Sequence, residues 1–335
     1  MKSILVIRLT SLGDVVLATP IVRMLQRVYP EASIDVAVDE RFAEVWNKNP
    51  HVHHVYAVAN GSEHHINAQP YDLVVDLQRN RRSARIIKRM REAGSTRVLQ
   101  YPKHRLEKLA LVYCKRKPKN VTHIVQRYAE PLRELGLSID SGGLELWPQP
   151  AEPLAQEEHT DQQRRLRIGI APGAQHETKR YPAVLMAKVV RHLVVNHGAE
   201  VVLLGGKADV ALCDEIGTAS GLPVTRADGA TTIEATVRVL DTLDAVVSCD
   251  SAIVHMSAAR SLPVVVVYGS TAPEFGFTPY GVPHMIVQAE DVACRPCTHI
   301  GRSSCPKGHF HCMNTISPLQ LANEAMTLAM KNVGS

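Results

Sequence analysis

The sequence predicts an α/β protein of two doubly wound domains, each built on a parallel sheet. Three observations point there. In both halves strand-sized apolar runs alternate with helical patterns, and one run, Val264 to Tyr268, is apolar at every position, as in a strand covered on both faces. Strand ends pass at once into polar or glycine turns, where ligands of open α/β sheets collect. A stretch from Trp147 to Arg165, Pro-rich and then Glu/Gln-rich, has little to bury and divides the 335 residues into halves of about 150. The expected organisation is a first domain over 1–150, a linker over 151–165, a second domain over 166–316 and a closing helix over 317–335.

In the first half, Lys2 to Arg8 reads as a strand and Val15 to Val28 as a helix. Between them, Gly13 lets backbone approach a ligand, and Asp14 sits beside the amide donors of a helix N-terminus. Helix capping is the alternative role for Asp14. Strands follow at Ser33 to Val38, around Val55 to Val58 and at Asp72 to Leu77. From Arg79 to Lys119 there are fifteen Lys or Arg against two acids, an excess of thirteen where the whole chain has a net charge of +5. Arg81, Arg85, Lys88 and Arg89 recur at helical spacing, which makes one basic face suited to phosphates, carboxylates or an anionic membrane surface. A solvated helix face is the plainer reading. His123 to Leu137 is a further helix, closed by Gly136.

The second half opens with a strand, Leu166 to Ala171, whose turn carries Gly173, followed by Lys179 and a helix from Ala183 to Val195. This is a plausible phosphate cradle, although it is not a Walker A loop. Glu200 to Leu204 ends at Gly205-Gly206. Val246 to Ser248, the turn Cys249-Asp250-Ser251, a short helix through Arg260 and Val264 to Tyr268 make one αβ unit ending at Gly269. Gly173, Gly205, Asp250 and Gly269 thus share one sheet edge as a ligand rim, with His255 one helical turn beyond Asp250.

Cys294, Cys297, Cys305 and Cys312 follow the spacing C-x2-C-x7-C-x6-C, a knuckle over 294–312 suited to a tetrahedral metal, zinc first and iron second. Seven cysteines, an odd number, and no export signal argue against a disulfide framework and for the cytoplasm. No apolar run approaches the about 20 residues of a membrane span.

Three segments together resemble glycosyltransferase family 9, the heptosyltransferases, and most closely its heptosyltransferase II members. They are SLGDVVLATPIVRMLQRVYP from Ser11, APGAQHETKRYPA from Ala171 and VVSCDSAIVHMSAARSLPVVVVYGST from Val246. The resemblance implies a GT-B fold, two Rossmann-like domains facing across a cleft, and inverting transfer of heptose from ADP-heptose to the inner core of lipopolysaccharide. It makes Asp14 the general base, with no metal in the transfer step. It gives the donor Gly173, Thr178, Lys179 and Gly205, with Asp250, Ser251, Ala252 and His255 at the sugar end. An anionic Kdo-lipid A acceptor then meets Gly13, Arg79, Arg81, Arg82 and Arg85, and the enzyme works at the cytoplasmic face of the inner membrane. The strand matching Glu200 to Leu204 lacks the acidic residue that some members use for ribose. Two rivals stay open: a GT-B enzyme with another nucleotide sugar or a protein acceptor, like the autotransporter heptosyltransferases, and a metal-knuckle nucleic-acid binder. Sparse aromatic residues in the basic segment count against nucleic acid.

Overall fold

The computed structural model describes residues 1–63, 66, 69–95, 97–148, 164–230 and 232–334. The chain forms two compact units, one of 1–104 with 122–148, the other of 105–121 with 149–335. In chain order the elements are β1 (Ser3–Ile7), α1 (Leu12–Val16), α2 (Thr19–Val28), β2 (Ser33–Asp39), β3 (His54–Val58), β4 (Leu73–Asp76), α3 (Arg81–Glu92), β5 (Val98–Gln100), α4 (Arg105–Tyr113) and α5 (Ile124–Ala129). They continue with β6 (Arg167–Ala171), α6 (Ala183–Arg191), β7 (Glu200–Gly206), α7 (Val210–Ser220), β8 (Thr225–Ala230), α8 (Ile233–Leu240), β9 (Ala245–Cys249), α9 (Ala252–Ala259), β10 (Val264–Tyr268), β11 (His284–Gln288), α10 (His311–Asn314) and α11 (Pro318–Val333).

The first unit is a five-stranded sheet in the order β3-β2-β1-β4-β5, parallel throughout. The expected helix from Val15 to Val28 is broken in two. Pro20 has no N–H to give the Val16 carbonyl, and the Thr19 hydroxyl takes that acceptor at 2.8 Å instead. Proline also splits the helix expected over 123–137. After α5 the chain tightens into a 3₁₀ turn, Glu130–Leu135, with Pro131 in its first turn, and Gly136 closes it at φ +79°.

The second unit is a six-stranded parallel sheet in the order β11-β10-β9-β6-β7-β8. Its centre is closed to solvent, because β9 and β10 are buried at every position. Burying each valine of β10 contributes roughly 1.5–3 kcal/mol. α11 lays Leu321, Ala322, Ala325 and Met326 on this sheet, as its pattern predicts. Of its two edge strands, β11 reads HMIVQ, whereas β8 carries little strand-like signal in sequence. β8 reads TRADGA, with the polar and glycine residues tolerated where one side of a ladder faces outward.

The domain boundary differs from the expected 1–150. Residues 105–121 belong to the second unit, because Leu111 and Val112 of α4 pack with Ala272 and Phe275, and Lys117 pairs with Glu274 at 2.9 Å. The expected linker lies almost entirely outside the described residues. Arg164, the first described residue after it, is anchored to Asp244 at 2.8 Å. Among the described residues no helix is long and apolar enough to cross a membrane.

Candidate active site

Each sheet has one point where successive strands depart to opposite sides, and there the crevice at the carboxyl edge opens. In the first unit it lies between β1 and β4. Asp14, in the first turn after β1, stands at that point. Its Oδ1 meets Arg8 Nη2 at 2.6 Å and accepts from the Tyr128 hydroxyl at 3.2 Å. Its Oδ2 accepts from the Ser11 hydroxyl at 2.8 Å and the Ser11 N–H at 3.2 Å. The capping role and the ion pair therefore coexist on one carboxylate. Arg8 is 7% exposed, also donates to the Leu77 carbonyl, and lies over the Tyr128 ring, which Tyr101 meets edge-on at 5.0 Å. Burial works to raise the Asp14 pKa, but Arg8 and the Ser11 donors outweigh it and hold the carboxyl below its usual range.

The basic segment is less available than its composition implies. Arg82 is bound at 2.6 Å to Glu63 and 2.8 Å to Asp39, two carboxylates that are each 2% exposed, and Arg85 meets Glu63 at 3.0 Å. Arg79 donates to the Tyr101 carbonyl at 3.1 Å. Arg82 is thus engaged with two buried carboxylates, which demand a partner. Arg81 is exposed and has no ion pair among the described residues. Gly13 is buried inside α1.

In the second unit the divergence lies between β6 and β9. Lys179 follows β6, Asp250 follows β9, and Lys179 Nζ lies 2.8 Å from Asp250 Oδ2. The Thr271 hydroxyl, from the turn after β10, donates to the same oxygen at 2.7 Å. Three turns of the predicted rim therefore converge on one carboxylate. Ser251 and Ala252 open α9 beside it and are partly exposed, whereas His255, one turn further along α9, is 5% exposed. Asp209 is the rim residue that sequence reasoning missed. A Cβ on Gly173 would stand 2.2 Å from Asp209 Oδ1, and one on Gly205 would stand 2.6 Å from Asp209 Cβ. Both glycines make room for this acid, whose Oδ2 accepts from the Gly206 N–H at 2.9 Å.

Thr178 is 2% exposed. Its hydroxyl donates to the Arg302 carbonyl at 3.2 Å and accepts from the Arg302 N–H at 2.8 Å and the Ser270 hydroxyl at 2.9 Å. That exhausts a hydroxyl's capacity, so Thr178 holds the loop that follows Cys297 rather than a ligand. The same loop reaches the rim at Ser270, whose carbonyl accepts from the Cys297 N–H at 3.1 Å, and at Gly269, whose carbonyl accepts from Arg295 Nε at 2.7 Å.

All four knuckle cysteines line one cavity with Arg295, Lys307 and His309. Among the described residues, however, no three His, Cys, Asp or Glu side chains form a set able to hold a metal ion. The thiols point elsewhere, Cys294 Sγ to His309 Nε2 and Cys297 Sγ to the Ser270 carbonyl, both at 3.9 Å. Burial pushes the Cys312 thiol up to about 11. At Cys305 burial acts the same way, but backbone N–H groups of residues 307–310 prevail and lower its pKa.

Comparison with known proteins follows the same lines. The profile of glycosyltransferase family 9 (heptosyltransferase) matches residues 62–307. Lipopolysaccharide heptosyltransferase 2 of Escherichia coli K12 is 25% identical over 310 residues, 81% of this chain and 84% of that protein. Lipooligosaccharide heptosyltransferase 2 of Campylobacter jejuni serotype O:2 is 29% identical over 171 residues, which span 49% of this chain and about half, 51%, of that protein. The solved structure of E. coli ADP-heptose LPS heptosyltransferase II superposes with a TM-score of 0.71 at 22% identity, covering 99% and 100% of the two chains, and shares the fold. Two parallel-sheet units of the GT-B kind, with the motif residues at their switch points, mark the chain as a member of glycosyltransferase family 9, the heptosyltransferases.

Proposed function

We propose that this enzyme transfers heptose from ADP-heptose to the Kdo-heptose inner core of lipopolysaccharide, with inversion at the anomeric carbon. The observation that carries the reading is the Lys179–Asp250 pair at the second switch point. A lysine whose charge is met by a rim carboxylate is poised to exchange that partner for a diphosphate, which carries more charge and better acceptors. As ADP departs, negative charge grows on its terminal phosphate, and Lys179 would stabilise it. Asp250, released from the lysine but still held by Thr271, then accepts from sugar hydroxyls, with Ser251 and Ala252 alongside. Asp209 supplies, from a position after β7, the carboxylate for ribose hydroxyls.

Asp14 is the general base in this reading. The acceptor oxygen attacks the anomeric carbon, its proton passes to Asp14, and the bond to the ADP oxygen breaks, with no covalent sugar-enzyme intermediate. The Arg8 ion pair keeps the base ionised, and Ser11 and Tyr128 orient it. Arg79, Arg81 and Arg85 are the acceptor-side cations. Zinc or iron at Cys294, Cys297, Cys305 and Cys312 has no part in these steps, and elemental analysis of chelator-free protein tests its presence. The site of action is the cytoplasmic face of the inner membrane.

The deciding experiment pairs a panel of nucleotide sugars with the Asp14→Asn variant. ADP-heptose should bind in preference to hexose donors, and Asp14→Asn should abolish transfer to a deacylated Kdo-lipid while ADP still binds. Full transfer by that variant sinks the catalytic assignment, and preference for another nucleotide sugar sinks the donor assignment.

A further inference from the structure

α4 has two faces of opposite character. Leu111 and Val112 are buried against Ala272 and Phe275. Leu106, Leu109 and Tyr113, at positions i, i+3 and i+7, are 82%, 49% and 74% exposed. Three large apolar side chains on one stripe of a nine-residue helix are more than isolated surface residues, and the second unit leaves them uncovered. The charges around them are mostly of one sign. Arg105 begins the helix, and Arg116 and Lys119 follow it, all exposed and without an ion pair among the described residues. Lys115 is turned inward to the carbonyls of Val112, Cys294 and Pro296, and Lys117 is paired with Glu274. The acid of the helix, Glu107, is off the apolar stripe, about 100° around the helix axis from Leu106.

We propose that this face of α4, with Arg105, Arg116 and Lys119 beside it, docks on an anionic lipid surface. Leucines enter the headgroup boundary, a tyrosine sits where one end of its ring stays wet, and the basic residues meet lipid phosphates. Burying Leu111 and Val112 on the opposite side ties the anchor rigidly to the second unit. The inference rests on the reading of a lipid-linked acceptor, because an enzyme whose acceptor stands in a bilayer gains from being held beside it. Contact this small is reversible and salt-sensitive.

Sedimentation of the full-length protein with vesicles of phosphatidylcholine containing 30% phosphatidylglycerol, against phosphatidylcholine alone, tests it; the figure of roughly 30% sets a strongly anionic surface. Wild type should bind the anionic vesicles and lose most of that binding in high salt. Leu106→Asp/Leu109→Asp should reduce the partition at least about tenfold, because two charges replace two inserted leucines. Both positions are exposed, so folding is spared, and circular dichroism checks it. Equal binding by wild type and variant, equal binding to both vesicle types, or no binding overturns the proposal. So does a wild-type dimer in gel filtration that the variant dissolves, since a second copy would then cover the face. Transfer to a deacylated, water-soluble acceptor is run in parallel. The variant should keep it, and its absence in wild type with vesicle docking intact would refute the proposed function alone.

Discussion

Replacing Arg8 by methionine separates the two forces acting on Asp14. Arg8 Nη2 lies 2.6 Å from Asp14 Oδ1, with the two side chains 8% and 19% exposed. Taking charge centres about 4 Å apart and an effective dielectric of about 20, the attraction is about 4 kcal/mol, equivalent to about three pH units as an upper bound. Measured effects of one opposite charge on a carboxyl run from about one to three. In the wild type the carboxyl is held below its usual range, so the proposed base is ionised throughout the working range and the acid limb of kcat/KM should lie below the ordinary carboxylate range. Without Arg8, burial acts unopposed in the raising direction. The acid limb of Arg8→Met should then move up, past the ordinary carboxylate range. The stability sign agrees. A depressed carboxyl contributes stability above its unfolded pKa that is lost as pH falls through the folded value, and Arg8→Met forfeits it together with about 3–5 kcal/mol for leaving a buried charge unpaired. Arg8→Lys keeps the charge and serves as the folded control. A pH–rate profile of folded Arg8→Met that superposes on wild type would refute the account.

Lys179→Ala should weaken ADP binding about 10- to 100-fold by calorimetry, the loss of one charge-assisted contact of about 1.5–3 kcal/mol, and an unchanged Kd would remove Lys179 from the donor site. Arg82→Ala should lower stability in urea by about 1.5–3 kcal/mol, because it leaves Glu63 to Arg85 and Asp39 to Arg41 alone; a stable variant with only its KM for acceptor raised would favour the binding role. Asp39 is held near a pKa of about 2, since Arg41 and Arg82 outweigh its burial. Its contribution, about 2.5 kcal/mol, should be present above about pH 4 and fade as pH falls toward 2, and should be reduced, with Arg41 still in place, in an acid titration of Arg82→Ala. Thr178→Val should raise the KM for donor by about tenfold with little change in kcat, and Thr178→Ser should recover it. Equal losses in KM and kcat would mean that the threonine supports the whole unit rather than the donor turn.

Local chemistry explains what could be read from the chain alone. Strand cores such as Val264 to Tyr268 announce themselves, because a strand covered on both faces must be apolar, and the turns after β1, β6, β9 and β10 follow from where those runs stop. Asp14, Lys179 and Asp250 were legible for that reason, together with the motifs that carry the family resemblance. The tertiary structure decided which charges are available and which are spent. Composition counts Arg82 with Arg81 as one basic face, yet Arg82 neutralises Glu63 and Asp39, acids that lie 19 and 43 positions away in sequence. Arg8 looked like the end of a strand until the fold set it against Asp14, and Tyr128 reaches that carboxylate across 114 positions. The four cysteines at metal-like spacing share one cavity in which Cys294 meets His309 and Cys297 meets the Ser270 carbonyl, and Thr178 is bonded to Arg302, contacts that no spacing announces. Periodicity and turn chemistry are properties of neighbours along the chain. Pairing of buried charges and saturation of buried hydroxyls depend on neighbours in space, which only the folded sheet order brings together.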